Sequence, residues 1–203
     1  MAKIKLTKTE LKKQQDALKQ YKRFLPTLQL KKQQLQMEMR HCQNLIAENE
    51  VREQKMKDSL NSWVILFSGK NVCELISQYL SVQAIRTRQM NIAGVEVPVF
   101  LGVDFHTREY DIFEEEPWLD DAIAAIKDIV SIQLERDIIR EQHRLIAHEL
   151  RITTQRVNLF EKVKIPEARE NIRIINIAIG DADTSAVARS KIAKKKLQET
   201  TAA

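Results

Sequence analysis

The chain has 203 residues, with four Gly, four Pro, 5% aromatic and 30% charged residues, a composition that fits a helical protein with a thin core. Its net charge of +5 is unevenly spread. Residues 1–40 carry eleven Lys/Arg against three acids and residues 189–203 carry five against one, so the stretch between them holds the remaining −7. Basic ends are often a mark of nucleic-acid binding, but these lysines lie within amphipathic helical pattern, which disfavours that class.

The first element is a heptad seam: Leu18, Tyr21, Leu25, Leu28, Lys32, Leu35, Met39, Cys42, Ile46, Asn49, Glu53, Met56, Leu60, Trp63 and Phe67. Twelve of these fifteen positions are apolar and the three-four alternation never slips. Such a repeat places one apolar line along an α-helix and requires a partner helix. Thr7 and Glu10 form a T-x-x-E capping box at its start, with Leu6 and Leu11 at hydrophobic-staple positions. From Thr7 to Phe67 the helix would be roughly 90 Å long, too long for one compact core. Pro26 should kink it, and Gly69 should end it. Lys32, Asn49 and Glu53 are the polar seam residues. They are either tolerated where pairing loosens, or, for Asn49 and Glu53, fix the register or face another partner.

Residues 72–80 predict a short helix. Period-two pattern over 82–92 and 95–101, with Ala93-Gly94 between, predicts a β-hairpin around 82–101, and Pro98 makes its strand an edge strand. Residues 102–117 read as loop. A second long helix should start near Pro117 and use Ile123, Ile126, Val130, Leu134, Ile138, Leu145, Ile152 and Leu159. Pro166 interrupts it. Ile165, Ala168, Ile172, Ile175, Ile179, Ala182, Ala186 and Ala193 then resume the spacing. The expected fold is mostly α: a long helix over 1–68, a small module with the hairpin over 69–117, and a long helix over 118–203. The two long helices form an antiparallel coiled coil. Paired positions should sum to roughly 185–190, with Pro26 and Pro166 at a similar level and a joint bend there.

Chemistry is sparse. Ser68-Gly69-Lys70-Asn71 lacks the first glycine and the Ser/Thr of a phosphate-binding loop, because residue 64 is Val64. His148-Glu149 has Ile152 where a second metal ligand would stand, and His41, His106 and His143 form no ligand spacing with it. Cys42 and Cys73 form no Cys-x-x-Cys and fit a reduced protein, with Cys42 as a small seam residue. Met1-Ala-Lys-Ile-Lys5 has no signal-peptide core. The longest uncharged run, Ser59–Gly69, falls well short of the ~20 residues of a membrane span. No catalytic residue, cofactor site, metal site or direct membrane insertion is expected.

Three stretches resemble a known family. They are Leu6-Thr-Lys-Thr-Glu-Leu11 continuing to Phe24-Leu-Pro-Thr-Leu-Gln-Leu-Lys-Lys-Gln-Gln-Leu35, then Asn91-Ile-Ala-Gly-Val95 with Pro98 and Phe100, then Thr154-Gln-Arg-Val-Asn158 running into Leu159-Phe-Glu-Lys-Val-Lys-Ile-Pro166. In order and spacing the chain is similar to the D subunit of the V-type and archaeal-type rotary ATPases. It departs from that family over Gly180-Asp-Ala-Asp-Thr-Ser-Ala-Val-Ala-Arg189, small and weakly charged where an acidic Glu/Arg-rich stretch is usual. The resemblance implies a non-catalytic rotor axle in the cytoplasm, peripheral to the membrane. Its termini would lie inside a hexamer of catalytic A and regulatory B subunits. Its middle would bind the F subunit, and its hairpin end would sit on the funnel-shaped C/d-type subunit above the membrane ring. Lys3, Lys5, Lys8, Lys12, Lys13, Lys191, Lys194, Lys195 and Lys196 are then candidate hexamer contacts. Asn49, Glu53, Ile92, Val95, Val97 and Phe100 are candidate contacts to the F subunit or the stalk. The alternative is a coiled-coil scaffold or a basic nucleic-acid-binding rod.

Overall fold

The computed structural model describes residues 4–60, 72–110 and 118–201. The elements are α1 (Lys8–Leu60), α2 (Val72–Tyr79), β1 (Leu80–Ile92), β2 (Val95–Thr107), α3 (Leu119–Asn158), a π turn (Leu159–Lys164) and α4 (Ile165–Thr201). Contacts divide the chain into two units, one of Met1–Lys31 with Thr153–Ala203 and the other of Lys32–Ile152. Trp63, Phe67, Gly69 and Pro117, named above as helix and seam positions, lie outside the described residues, as does Lys3.

The start of α1 follows its sequence signal in part. The Glu10 backbone N–H donates to Thr7 Oγ1 at 3.3 Å, an N-cap. The reciprocal half of the box is replaced, because the Glu10 carboxylate accepts from Gln14 Nε2 at 2.9 Å instead. α1 then runs unbroken through Pro26 to Leu60. Every described residue of its seam is buried or half-buried, Lys32 included.

In the first unit α1 pairs with the π turn and α4. The Tyr21 and Phe160 rings lie 5.3 Å apart, and Asn171 Nδ2 donates to Gln14 Oε1 at 3.5 Å. Pro26 and Pro166 flank the ring pair on opposite sides, roughly 10–16 Å apart along the axis at the usual helical rise, counted from the Gln14–Asn171 pair or from the rings. The irregular turn is on the Pro166 side only, as the π turn, while α1 stays α-helical through Pro26 with that residue's one hydrogen bond unmade. Val157, Ile165, Ala168 and Ile175 are buried here, and Ile172 and Ile179 are half-buried. Ala182, Ala186 and Ala193, expected on the seam, are exposed, as is everything from 180 to 198. The physical reason is the end of the partner: α1 begins at Lys8, whose ammonium lies 3.9 Å from Asp183.

In the second unit the remainder of α1 runs antiparallel to α3, with Gln43 beside His143 and Arg52 beside Glu135, each at 3.5 Å. The hydrogen-bonded pairs 14/171 in the first unit and 43/143 and 52/135 in the second sum to 185, 186 and 187, and the ring pair 21/160 in the first unit sums to 181. The buried line of α3 is Ile132, Ile139, Ile146 and Thr153, one heptad apart. The sequence pattern favours the neighbouring Leu134, Ile138, Leu145 and Ile152, which are half-buried beside that line, and Leu159, which is 46% exposed. The pattern misleads because α3 is apolar on both sides of the line and because the core position 153 is a threonine. Leu35, Cys42, Ile139 and Ile146 share one cluster with Val97 of β2, against which Ile92, Ala93 and Val95 also pack. The hairpin tip is thus seated on the helix pair. Its base is seated on a second cluster of Ile76, Leu119 and Ile123, joined by Tyr79, Leu80, Tyr110, Trp118 and Ile126.

The two strands pair antiparallel from Leu80↔Thr107 to Ile92↔Val95. Ala93 and Gly94 both have positive φ, 51° and 82°, and the Gly94 N–H donates to Asn91 Oδ1 at 3.0 Å. Positive φ at both central residues makes a type I′ turn, whose twist suits a tight hairpin. β2 continues to Thr107, six residues beyond the expected end, so residues 102–107 are strand and not loop. Gly102 hid this. It stands beside a register shift at φ 154°, where a Cβ would press to 3.1 Å from the Arg86 guanidinium that pairs with Asp104. A glycine inside a strand reads as a break in sequence but serves here as a bulge.

Ala93 holds a left-handed conformation that costs a residue with a Cβ about 1 kcal/mol. Ala93→Asn should raise stability in urea unfolding by about 0.5–1 kcal/mol, and Ala93→Val should lower it, with no change in helix content.

Candidate functional site

The densest polar chemistry among the described residues lies inside the helix pair of the second unit. Glu53 of α1 is 4% exposed, and Asn49, one turn earlier, is 3% exposed. The Glu53 carboxylate accepts from Lys57 Nζ at 2.7 Å, from Gln133 Nε2 at 2.9 Å and from Arg136 Nη1. Lys57 reaches back one turn of its own helix, while Gln133 and Arg136 lie three apart on α3 and so point the same way. The hydrogen bonds from Lys57 and Gln133, aided by the Arg136 charge, pull the carboxyl down to about 2 against the upward push of burial. The Nε of Arg136 is buried without a partner. Peripheral pairs continue the pattern, with Arg140 on Glu50 at 3.3 Å and Arg52 on Glu135 at 3.5 Å.

A second polar tie joins the helices to the hairpin. Gln142 Nε2 donates to the Pro98 carbonyl at 2.5 Å, and its Oε1 lies 4.0 Å from Cys42 Sγ. Burial and then the nearby Glu38 push the Cys42 thiol pKa up, as for a packing residue. At the hairpin base Tyr110 Oη donates to Asp120 Oδ1, and this bond raises the Tyr110 pKa to about 12. Among the described residues no group of three His, Cys, Asp or Glu could hold a metal ion.

The expected contact residues therefore separate. Asn49 and Glu53 are both buried within the helix pair, and the Glu53 carboxylate is taken up by Lys57, Gln133 and Arg136. Val97 is 0% exposed, and Ile92 and Val95 pack on the same cluster, so these three seat the hairpin on its own helices; Phe100 is half-buried. Lys5, Lys8, Lys12, Lys13, Lys191, Lys194, Lys195 and Lys196 all stand on exposed positions, those before residue 14 and those after 190 both within the first unit. Sequence reasoning missed Gln133, Arg136 and Gln142. The pairing sum was the available signal, since it puts residue 53 opposite the 133–136 turn.

These features define a helix-pair protein with a seated hairpin, whose buried polar groups act on its own packing. The family model described as the D subunit of ATP synthase matches residues 10–195. The chain is 45% identical to the V-type ATP synthase D subunit of Borreliella burgdorferi over 97% of this chain and 96% of that one. It is 34% identical to that of Chlamydia trachomatis over 97% of each chain, and 30% identical to that of Chlamydia caviae over 97% and 94%. The chain belongs to the family of ATP synthase D subunits.

Glu53→Gln should lower stability at pH 7 by about 3 kcal/mol, since it leaves Arg136 buried without its counter-charge. The folded pKa of Glu53 lies below the ordinary carboxylate value near 4.3, so its contribution is complete above about pH 5 and fades as pH falls towards 2. Urea unfolding of parent and variant from pH 7 to 3 should show the gap closing as pH drops; a constant gap would contradict the assignment.

Proposed function

We propose that this chain is the central shaft of a V/A-type rotary ATPase, coupling ATP hydrolysis or synthesis in a catalytic hexamer to ion translocation through a membrane ring. The observation that carries this is kinship over the whole length, with 45% identity across 97% of the chain to a V-type ATP synthase D subunit. No described helix is long and apolar enough to cross a membrane. In this role the funnel-shaped C/d-type subunit joins the shaft to the ring. On this reading the chain itself catalyses nothing and works at the cytoplasmic face. The A and B subunits surround its two ends, and its middle carries the F subunit.

The physical case rests on what a shaft must do. It must present a different face to each of three catalytic interfaces and bias each between open and closed. A swing from 1:99 to 99:1 takes about 5.5 kcal/mol of differential contact. Many exposed, weak charges suit that better than one tight contact, which would act as a brake. The exposed lysines on both sides of the terminal unit supply such charges for an acidic sleeve. Torque also needs two helices that do not slide past each other, and a buried ionic cluster resists sliding because every displaced position strands a charge in an apolar seam. The scaffold and nucleic-acid readings have no comparable observation behind them.

A tagged chain purified from its host should bring down two large nucleotide-binding subunits and a small F-like subunit. Replacing both Leu35 and Met39 by Asp, in the seam under the hairpin, should leave ATP hydrolysis by the hexamer but abolish ATP-driven ion transport into vesicles. Unchanged transport would overturn the shaft reading.

A further inference from the structure

Within the first unit the two paired helices do not keep the same count. On α1 the covered residues Leu11, Gln14, Leu18, Tyr21, Leu25 and Leu28 step by three and four without a break. On the partner side Thr153, Val157 and Phe160 step the same way, as do Ala168, Ile172, Ile175 and Ile179. Between these sets both seam lines take a step of eight, Val157 to Ile165 and Phe160 to Ala168, where a heptad takes seven. The π turn Leu159–Lys164 spans that step. A π turn accommodates one more residue than the α turns it replaces, so it advances the chain by one position without rotating the later stripe off the seam.

We infer that the π turn at Leu159–Lys164 holds one supernumerary residue, which keeps the stripe before it and the stripe after it facing the same line on α1, and that Pro166 pins it there. The pinning follows from the hydrogen-bond ladder. The Ile165 N–H donates to the Phe160 carbonyl, the i−5 pattern. The next residue, Pro166, has no N–H, so the ladder is already broken where the pattern must return to i−4. Moving the extra residue further along α4 would break bonds in a helix that now has them, and would push Ala168 and Ile172 off the seam. Moving it back would displace Val157 and Phe160 instead. Glu161 and Lys162, on the outer side of the turn, are exposed, so water can satisfy the carbonyls the turn leaves over.

The test is deletion in the full chain. Deleting Glu161 should return the turn to the α pattern with Pro166 leaving one bond unmade, as Pro26 does in α1, should keep both stripes on the seam, and should leave the melting temperature within about 4 °C of the parent. Deleting Arg169, which is exposed on the regular part of α4, should rotate Ile172, Ile175 and Ile179 off the seam and lower it by more than about 10 °C. A second readout reports phase directly. With Cys42 and Cys73 replaced by Ala, Gln14→Cys and Asn171→Cys should be joined by a short bifunctional thiol cross-linker in the parent and in the Glu161 deletion, and should not be joined in the Arg169 deletion. If deleting Glu161 lowers the melting point as far as deleting Arg169, or abolishes the cross-link, then Pro166 alone produces the turn and no residue is supernumerary.

Discussion

Two helices share only one line of contact, and here that line has to carry the fold. A bundle of four buries several faces of each helix, so a local error in one seam is covered by the others. A pair has no such reserve. Leu35, Cys42, Ile139 and Ile146 form a small core, and the hairpin adds Val97 to it. Each later feature answers this thinness. The hairpin tip and base are both seated, polar ties reach from the helices to the strand, and one extra turn residue takes up a mismatch in count.

The Glu53 cluster answers a different problem. An apolar seam of repeated heptads fits itself almost as well one heptad out of place. Coulomb attraction between Glu53 and Arg136 is partly offset by the cost of taking both from water, so the net gain in stability is modest. The gain in uniqueness is larger. One heptad out of place Arg136 would face Ile46 or Leu60 and lose its acceptor, and Glu53 would lose its contacts with Gln133 and Arg136. With Lys57 and Gln133 on the same carboxylate, the site accepts one alignment of α1 with α3 and disfavours the rest.

Much of this was legible in the sequence. The α1 seam was readable because its spacing is regular and its interruptions are few. The hairpin centre was readable because Ala-Gly between alternating strands needs a turn with positive φ. The partner helix was harder. α3 is apolar over more than one face, so the largest side chains did not mark the buried line, and Thr153 at 1% exposure hid a core position behind a hydroxyl. Gly102 hid the strand beyond it. The polar cluster was visible only as two odd residues, Asn49 and Glu53, because its other half lies about eighty residues further along the chain.

That separation has a kinetic side. Facing residues lie 80 positions apart at Glu53 and Gln133, 100 at Gln43 and His143, and 157 at Gln14 and Asn171. Closing a loop costs more entropy the longer it is, but each pair once closed shortens the effective loop for the next. Assembly is therefore favoured as a zipper, starting next to the hairpin and ending at the two chain termini. Opening runs in reverse, so the end that forms last is also the first to loosen. That end carries both basic segments, so the part of the molecule richest in exposed charge is the part whose pairing is the most readily surrendered and regained.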